Sequence, residues 1–154
     1  MQHALKLAET AEQIGEVPIG AILVHDDEII GEGFNTSIRD NDPTAHAEIN
    51  AIRQAAARQK NYRLPDTTLY VTLEPCSMCA GALIHSRVDR LVYAASDTKA
   101  GACGSVFDVI STNQRNHRVH YEKGLLGDEA GMMLSNFFKK RRADHKMKKL
   151  EEQE

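Results

Sequence analysis

The chain has 154 residues, 42% hydrophobic and 27% charged, with a formal net charge of −3. This suits a single domain over 1–154 with no room for a second, and three cysteines, an odd number, argue against a disulfide framework and fit a reducing compartment. No apolar run approaches the length of a membrane span and no secretory leader pattern opens the chain, so the cytoplasm is the expected location and no membrane partner is expected.

Ala4, Leu7, Ala8, Ala11 and Ile14 recur at helical spacing and predict an opening amphipathic helix that ends near Gly15. Residues 19–24 and 28–33 read as the strands of a hairpin around His25-Asp26-Asp27. Asp42, a good N-cap, followed by Pro43 predicts a helix start whose first turns carry His46 and Glu48. Ala45, Ile49, Ile52 and Ala56 are its expected inner face, and 61–65 breaks it. Residues 67–73 are strand-like and run into Pro75, a second helix start after which Cys76 and Cys79 share one face. A further strand at 90–95 completes a strand-helix-strand unit, for which parallel pairing is expected.

A short last strand is predicted at 119–121, then one long or two abutting helices over 128–149 with Ala130, Met133, Leu134, Phe137 and Phe138 turned inward. Alternating strands and helices place the chain in the α/β class, with a mixed sheet covered on both faces. Charge is uneven: Lys139, Lys140, Arg141, Arg142, Lys146, Lys148 and Lys149 against Asp144 give 139–150 a charge of +6, leaving −9 elsewhere. Such a tail is either a solvated helix end complementing its own dipole or a surface that contacts phosphates.

The chemistry is concentrated in His46-Ala47-Glu48 and Pro75-Cys76-Ser77-Met78-Cys79. His46, Cys76 and Cys79 offer three zinc ligands where a structural site wants four, so a fourth position is left for water. Glu48, two residues past the histidine, is placed to take a proton from it. Two thiolates offset the ion's double charge and temper its acidifying power, which makes a carboxylate base more necessary than at an all-histidine site. The pattern points to hydrolysis.

Each residue alone has a plainer reading. Cys-x-x-Cys is more often half of a structural zinc site or a redox pair, and a single histidine is ordinarily structural. A non-catalytic zinc-stabilised RNA-binding module would need a fourth ligand, such as Cys103 or His85, and would leave Glu48 idle. A thiol oxidoreductase would need a reversible Cys76–Cys79 disulfide and no metal. Cys103 has no spacing partner and is expected to be a small buried residue.

These motifs sit among further blocks: Val17-Pro18-Ile19-Gly20-Ala21, Gly31-Glu32-Gly33-Phe34-Asn35, Asp42-Pro43-Thr44-Ala45, Thr72-Leu73-Glu74, Gly81-Ala82-Leu83-Ile84-His85-Ser86-Arg87 and Gly101-Ala102-Cys103-Gly104-Ser105. Together they resemble the zinc-dependent nucleoside and nucleotide deaminases, whose signature is H-x-E…P-C-x-x-C, and the flanking blocks resemble the branch that acts on tRNA. The resemblance implies a cytidine-deaminase-like three-layer α/β/α sandwich around a mixed sheet of about five strands, with the two zinc helices side by side. It implies one Zn2+ per subunit on His46, Cys76 and Cys79, with Glu48 as the proton carrier. It also implies conversion of adenosine to inosine in a tRNA anticodon stem-loop, at the wobble position, with release of ammonia, by a homodimer whose RNA groove uses both subunits. Several residues ahead of the first helix are expected as well, whereas here the helix begins at Met1-Gln2-His3-Ala4.

By position in matching blocks, Asn35 resembles the residue that reads the target base, with Ala47 presenting backbone to it. Asp97, Lys99 and Asn116 resemble contacts to neighbouring nucleotides, and Phe138 and Arg142 resemble residues lining the loop-binding groove. The plainer readings are that Asn35 ends a strand, Lys99 is a solvated charge and Phe138 is core. Deaminases of free bases such as guanine share the zinc motif and are the nearest rival. Ala80-Gly81 stands after Cys79 where cytidine deaminases tend to carry an Arg-Gln pair.

Overall fold

In the computed structural model, which describes residues 1–111 and 116–153, the elements run α1 (Gln2–Gln13), β1 (Gly20–His25), β2 (Glu28–Phe34), α2 (Ala47–Gln59), β3 (Thr67–Leu73), α3 (Ser77–His85), β4 (Arg90–Ala95), β5 (His120–Lys123) and α4 (Gly127–Glu151). The strands form one five-stranded sheet in the order β2-β1-β3-β4-β5. β1 is antiparallel to β2 and β3, whereas β3, β4 and β5 are parallel, so the sheet is mixed as expected. Asp26 and Asp27 both take positive φ, 48° and 61°, which gives the tight β1–β2 turn the twist its strands need.

Residues paired across the sheet fix which side each helix covers. Ala21 opposes Gly33 and Val71, and Val71 opposes Tyr93, so these share a face with Leu23, Leu69 and Leu91, and that face carries the main core with α2 and α3. On the other face lie α1 and α4. The result is the three-layer α/β/α arrangement. Among the described residues, no helix is long and apolar enough to cross a membrane.

The inner face of α2 differs from expectation. Ala47, Ala51 and Ala55 are buried, while Ile49, Ile52 and Ala56 are only half-buried. The reason lies in β2, where a Cβ on Gly31 or Gly33 would run into the backbone of Ala51 or Ala47. Glycine against alanine lets helix and strand backbones approach closely, and that approach excludes the bulkier isoleucines from the seam.

Both helix starts also differ. α2 begins at Ala47 and α3 at Ser77, with His46 (φ −75°, ψ 157°) and Cys76 (φ −72°, ψ 175°) as extended N-caps. Asp42 makes a local turn instead: its Oδ1 accepts hydrogen bonds from the Thr44 N–H (2.8 Å) and hydroxyl (2.7 Å). In α4, a single 25-residue helix, Ala130 and Phe137 are buried but Phe138 is 41% exposed, which corrects its inward placement. Neighbours on a helix point about 100° apart, so one packing surface takes only one of the pair.

Candidate active site

The parallel strands and the N-termini of α2 and α3 converge at one end of the sheet, where Asn35 follows β2 and Cys76 lies three residues past β3. The start of α2 is held from outside the helix. Asn35 Oδ1 accepts the Ala47 N–H at 2.9 Å, satisfying one of the amides that a helix start leaves unpaired. Asn50 Nδ2 donates to the Phe34 carbonyl (2.9 Å) and the Thr36 hydroxyl (3.1 Å), and Thr36 N–H reaches the Ala45 carbonyl at 3.0 Å. The buried Glu16 accepts the Arg39 N–H at 2.8 Å and anchors the loop in between.

His46, Cys76 and Cys79 come together, their ligand atoms all within 4.8 Å of one another. His46 Nδ1 lies 3.6 Å from each sulfur. Tetrahedral zinc with its usual N and S bond lengths separates those atoms by about 3.6 Å, so the three residues fit such an ion. Cys103 is buried, with its sulfur 4.0 Å from the Pro75 carbonyl, and His85 is exposed at the far end of α3. Neither joins the group of potential ligands found among the described residues.

Charge in the cluster is unevenly shared. Hydrogen bonding from Cys79, reinforced by His46, draws the Cys76 thiol well down, whereas Cys76 and burial push the Cys79 thiol up. Cys76 also raises His46. A dication offsets the repulsion between two thiolates and so favours the ionised form of both. Glu48 is only 4% exposed, and burial lifts its carboxyl to about 7, partly opposed by its own backbone N–H and His46. A carboxyl titrating near neutrality is suited to both taking and giving a proton.

The other expected contacts are placed unequally. Ala47 has its N–H engaged by Asn35, and the amide NH2 of Asn35 has no protein partner among the described residues. Asp97 and Lys99 lie on the loop after β4, where Asp97 Oδ1 accepts the N–H groups of Lys99 (2.9 Å) and Ala100 (3.1 Å). Phe138 and Arg142 meet with Arg141 and His145 around a shallow groove on α4. Asn116 is exposed beside His117, whose Nε2 lies 2.7 Å from the Val88 carbonyl past the C-terminal end of α3.

One participant had no role in the sequence reading. Glu74, 2% exposed, accepts backbone N–H groups from Asp97 (2.9 Å), Cys103 (3.0 Å) and Ser105 (3.1 Å). The available signal was a carboxylate standing between an apolar strand and the Pro75-Cys76 turn, where it has to be paired if buried.

Comparisons with known proteins converge on one group. A family model described as MafB19-like deaminase matches residues 1–142. The tRNA-specific adenosine deaminase of Haemophilus influenzae is 54% identical over 150 residues, covering 97% of this chain and 87% of that protein. The one from Streptococcus pyogenes serotype M3 is 43% identical over 149 residues, with 97% and 87% covered. A solved structure from work on A-to-I editing by tRNA:A34 deaminases at the wobble position is similar with a TM-score of 0.84 and 43% identity, covering 87% of this chain and 97% of that one. Guanine deaminase from Bacillus subtilis is similar at a TM-score of 0.61 and 35% identity, covering 92% and 90%.

Proposed function

The chain belongs to the MafB19-like deaminase family, and from that premise we propose that it hydrolyses adenosine to inosine in tRNA, at the anticodon wobble position, releasing ammonia. The observation that carries this is the three-ligand cluster with Glu48 buried beside it, in a chain 54% identical to a tRNA-specific adenosine deaminase over nearly its whole length.

Zinc, one ion per subunit, suits the N and S donors of His46, Cys76 and Cys79, and when bound it lowers the pKa of water toward neutrality. Glu48 takes a proton from the attacking water as its oxygen bonds to C6 of the base. It returns that proton to ring nitrogen N1, then carries the second water proton to the amine as the C6–N bond breaks. Both water protons are thereby accounted for, one on inosine N1 and one in ammonia.

Asn35 orients the base through its amide NH2 while its oxygen keeps Ala47, and hence Glu48, in place. Asp97 and Lys99 address a neighbouring nucleotide, and Phe138 and Arg142 line the groove for the anticodon loop. The basic stretch at 139–149 meets phosphates. Asn116, exposed on the surface, is assigned to an RNA groove shared by the two subunits of a homodimer. An anticodon loop is already unpaired, which lowers the cost of turning the base out into the site. The cytoplasm is the compartment that fits this substrate, with 1–154 acting as one domain.

Deamination of a free purine such as guanine is the second reading, favoured by the likeness to the Bacillus subtilis guanine deaminase. One experiment separates the two. Zinc-loaded protein is incubated with adenosine-containing anticodon stem-loops, guanine, cytidine and adenosine, and inosine and ammonia are followed. Inosine in the stem-loop is the expected result; ammonia from guanine or cytidine with an untouched stem-loop overturns the proposal.

A further inference from the structure

We infer that Glu74 is a positioning residue that sets substrate affinity by holding the 97–105 loop in its binding shape, an inference that rests on the deaminase reading above. Its own backbone N–H donates to the Ala95 carbonyl at 2.8 Å, which carries the β3–β4 pairing one residue past Leu73 and brings the side chain into the mouth of the loop. There its two oxygens gather three backbone N–H groups, Oε2 from Asp97 and Oε1 from Cys103 and Ser105. Donors from both ends of the loop thus meet on one carboxylate. The loop is shaped around this group, because a Cβ on Gly101 would overlap the Glu74 carboxylate.

Two chains of bonds lead outward from it. The Asp97 N–H is held by Glu74 while Asp97 Oδ1 receives the N–H groups of Lys99 and Ala100, so the turn that presents Asp97 and Lys99 is oriented by Glu74. On the other side the Ala102 N–H donates to the Pro75 carbonyl at 2.9 Å, next to Cys76. The loop is therefore registered against the metal-ligand segment at one point and against the prospective nucleotide contacts at another. Glu74 touches neither the base nor the ligand atoms in this arrangement, and it acts through the loop.

The test compares wild type, Glu74→Gln and Glu74→Ala as zinc-loaded full chains. Glutamine keeps one carbonyl oxygen but turns an N–H donor toward backbone donors, so it retains part of the pattern; alanine retains none. Exchange of the amide protons of Asp97, Cys103 and Ser105 is read by hydrogen exchange, zinc content by elemental analysis, and KM and kcat on an anticodon stem-loop. The expected result is amide exchange faster by about tenfold or more, graded Ala over Gln over wild type. A parallel rise in KM is expected, with kcat within about threefold of wild type and zinc content unchanged. Gly101→Ala, which disturbs the same contact from the loop side, is expected to raise KM likewise.

Unchanged exchange and KM in both Glu74 variants overturn the inference, as does loss of zinc with kcat falling in proportion and KM unchanged, the mark of a general structural role. A wild-type protein inactive on every stem-loop overturns the deaminase reading instead. The exchange measurement needs no substrate and still reports on Glu74 in that case.

Discussion

Asn35 and Ala47 are joined by a 2.9 Å hydrogen bond in which the residue just after β2 accepts the first N–H of the helix that carries Glu48. That side chain holds the helix start, and in the proposed mechanism its amide NH2 also meets the base. Asn35→Asp keeps the acceptor and removes the NH2 donor, so thermal stability should stay near wild type while kcat/KM falls by about 100-fold. Asn35→Ala should lose activity and, by leaving a buried N–H unpaired, about 1–2 kcal/mol of stability as well. Equal stability of the two variants in chemical denaturation would refute the bracing role.

Glu48→Ala should leave zinc content and RNA affinity close to wild type while turnover drops by about 100-fold or more, the usual contribution of a positioned proton carrier. Unaltered turnover in single-turnover assays would exclude Glu48 as that carrier and favour a non-catalytic zinc module.

The clustering of His46, Cys76 and Cys79 was legible in the sequence because metal chemistry restricts both residue type and spacing, and the three are brought together as a group able to hold a metal. The helix starts were not, for a physical reason. An Asp whose side chain accepts an N–H two residues on looks the same before a helix as in a free turn, and Asp42 makes the turn. The packing face of α2 was obscured because alanine is a weak hydrophobic signal beside Ile49 and Ile52. What selects Ala47, Ala51 and Ala55 is a pair of glycines on another element.

Phe138 shows the limit of periodicity at a single position. Its spacing suits the apolar stripe as well as Phe137 does, and only the surface that α4 packs against decides which ring is buried. The five strands, by contrast, were legible within one or two residues, because β1, β3 and β4 are short runs rich in apolar and β-branched residues and turn residues separate β1 from β2.

Protonation of Glu48 should be visible in the stability of metal-free protein. Its carboxyl is raised from 4.5 to about 7 by burial, so the folded state favours the protonated form. The contribution is complete below the unfolded value and is lost as pH rises through about 7, amounting to roughly 3 kcal/mol over the full span. Between about pH 5 and pH 8, metal-free wild type should therefore lose stability relative to Glu48→Gln, which lacks the titration. Parallel pH profiles in urea denaturation would show that Glu48 is not held in this way.

Zinc removal should act on both fold and turnover. Chelation leaves Cys76 and Cys79 sharing their charge without a cation, so Tm should fall and turnover vanish, and one equivalent of zinc should restore both. Cys103→Ala should keep the zinc stoichiometry, since Cys103 stands outside the ligand group. Loss of zinc in that variant, measured by elemental analysis, would point to a fourth protein ligand and a structural site.

The basic end of α4 separates binding from chemistry. Lys146, Lys148 and Lys149 are exposed and far along the helix from Phe137, its last buried residue. If they meet phosphates, changing all three to alanine should weaken stem-loop affinity at low salt and flatten the dependence of log K on log salt by up to about one unit for each phosphate no longer neutralised. Turnover at saturating RNA should stay within about twofold of wild type. Phe138→Ala and Arg142→Ala, at the groove on the same helix, should lower affinity with a smaller change of salt slope for the phenylalanine, because a ring releases no counterions. A wild-type affinity that does not respond to salt would reduce 139–149 to a solvated helix end and leave RNA recognition to the loops around the cluster.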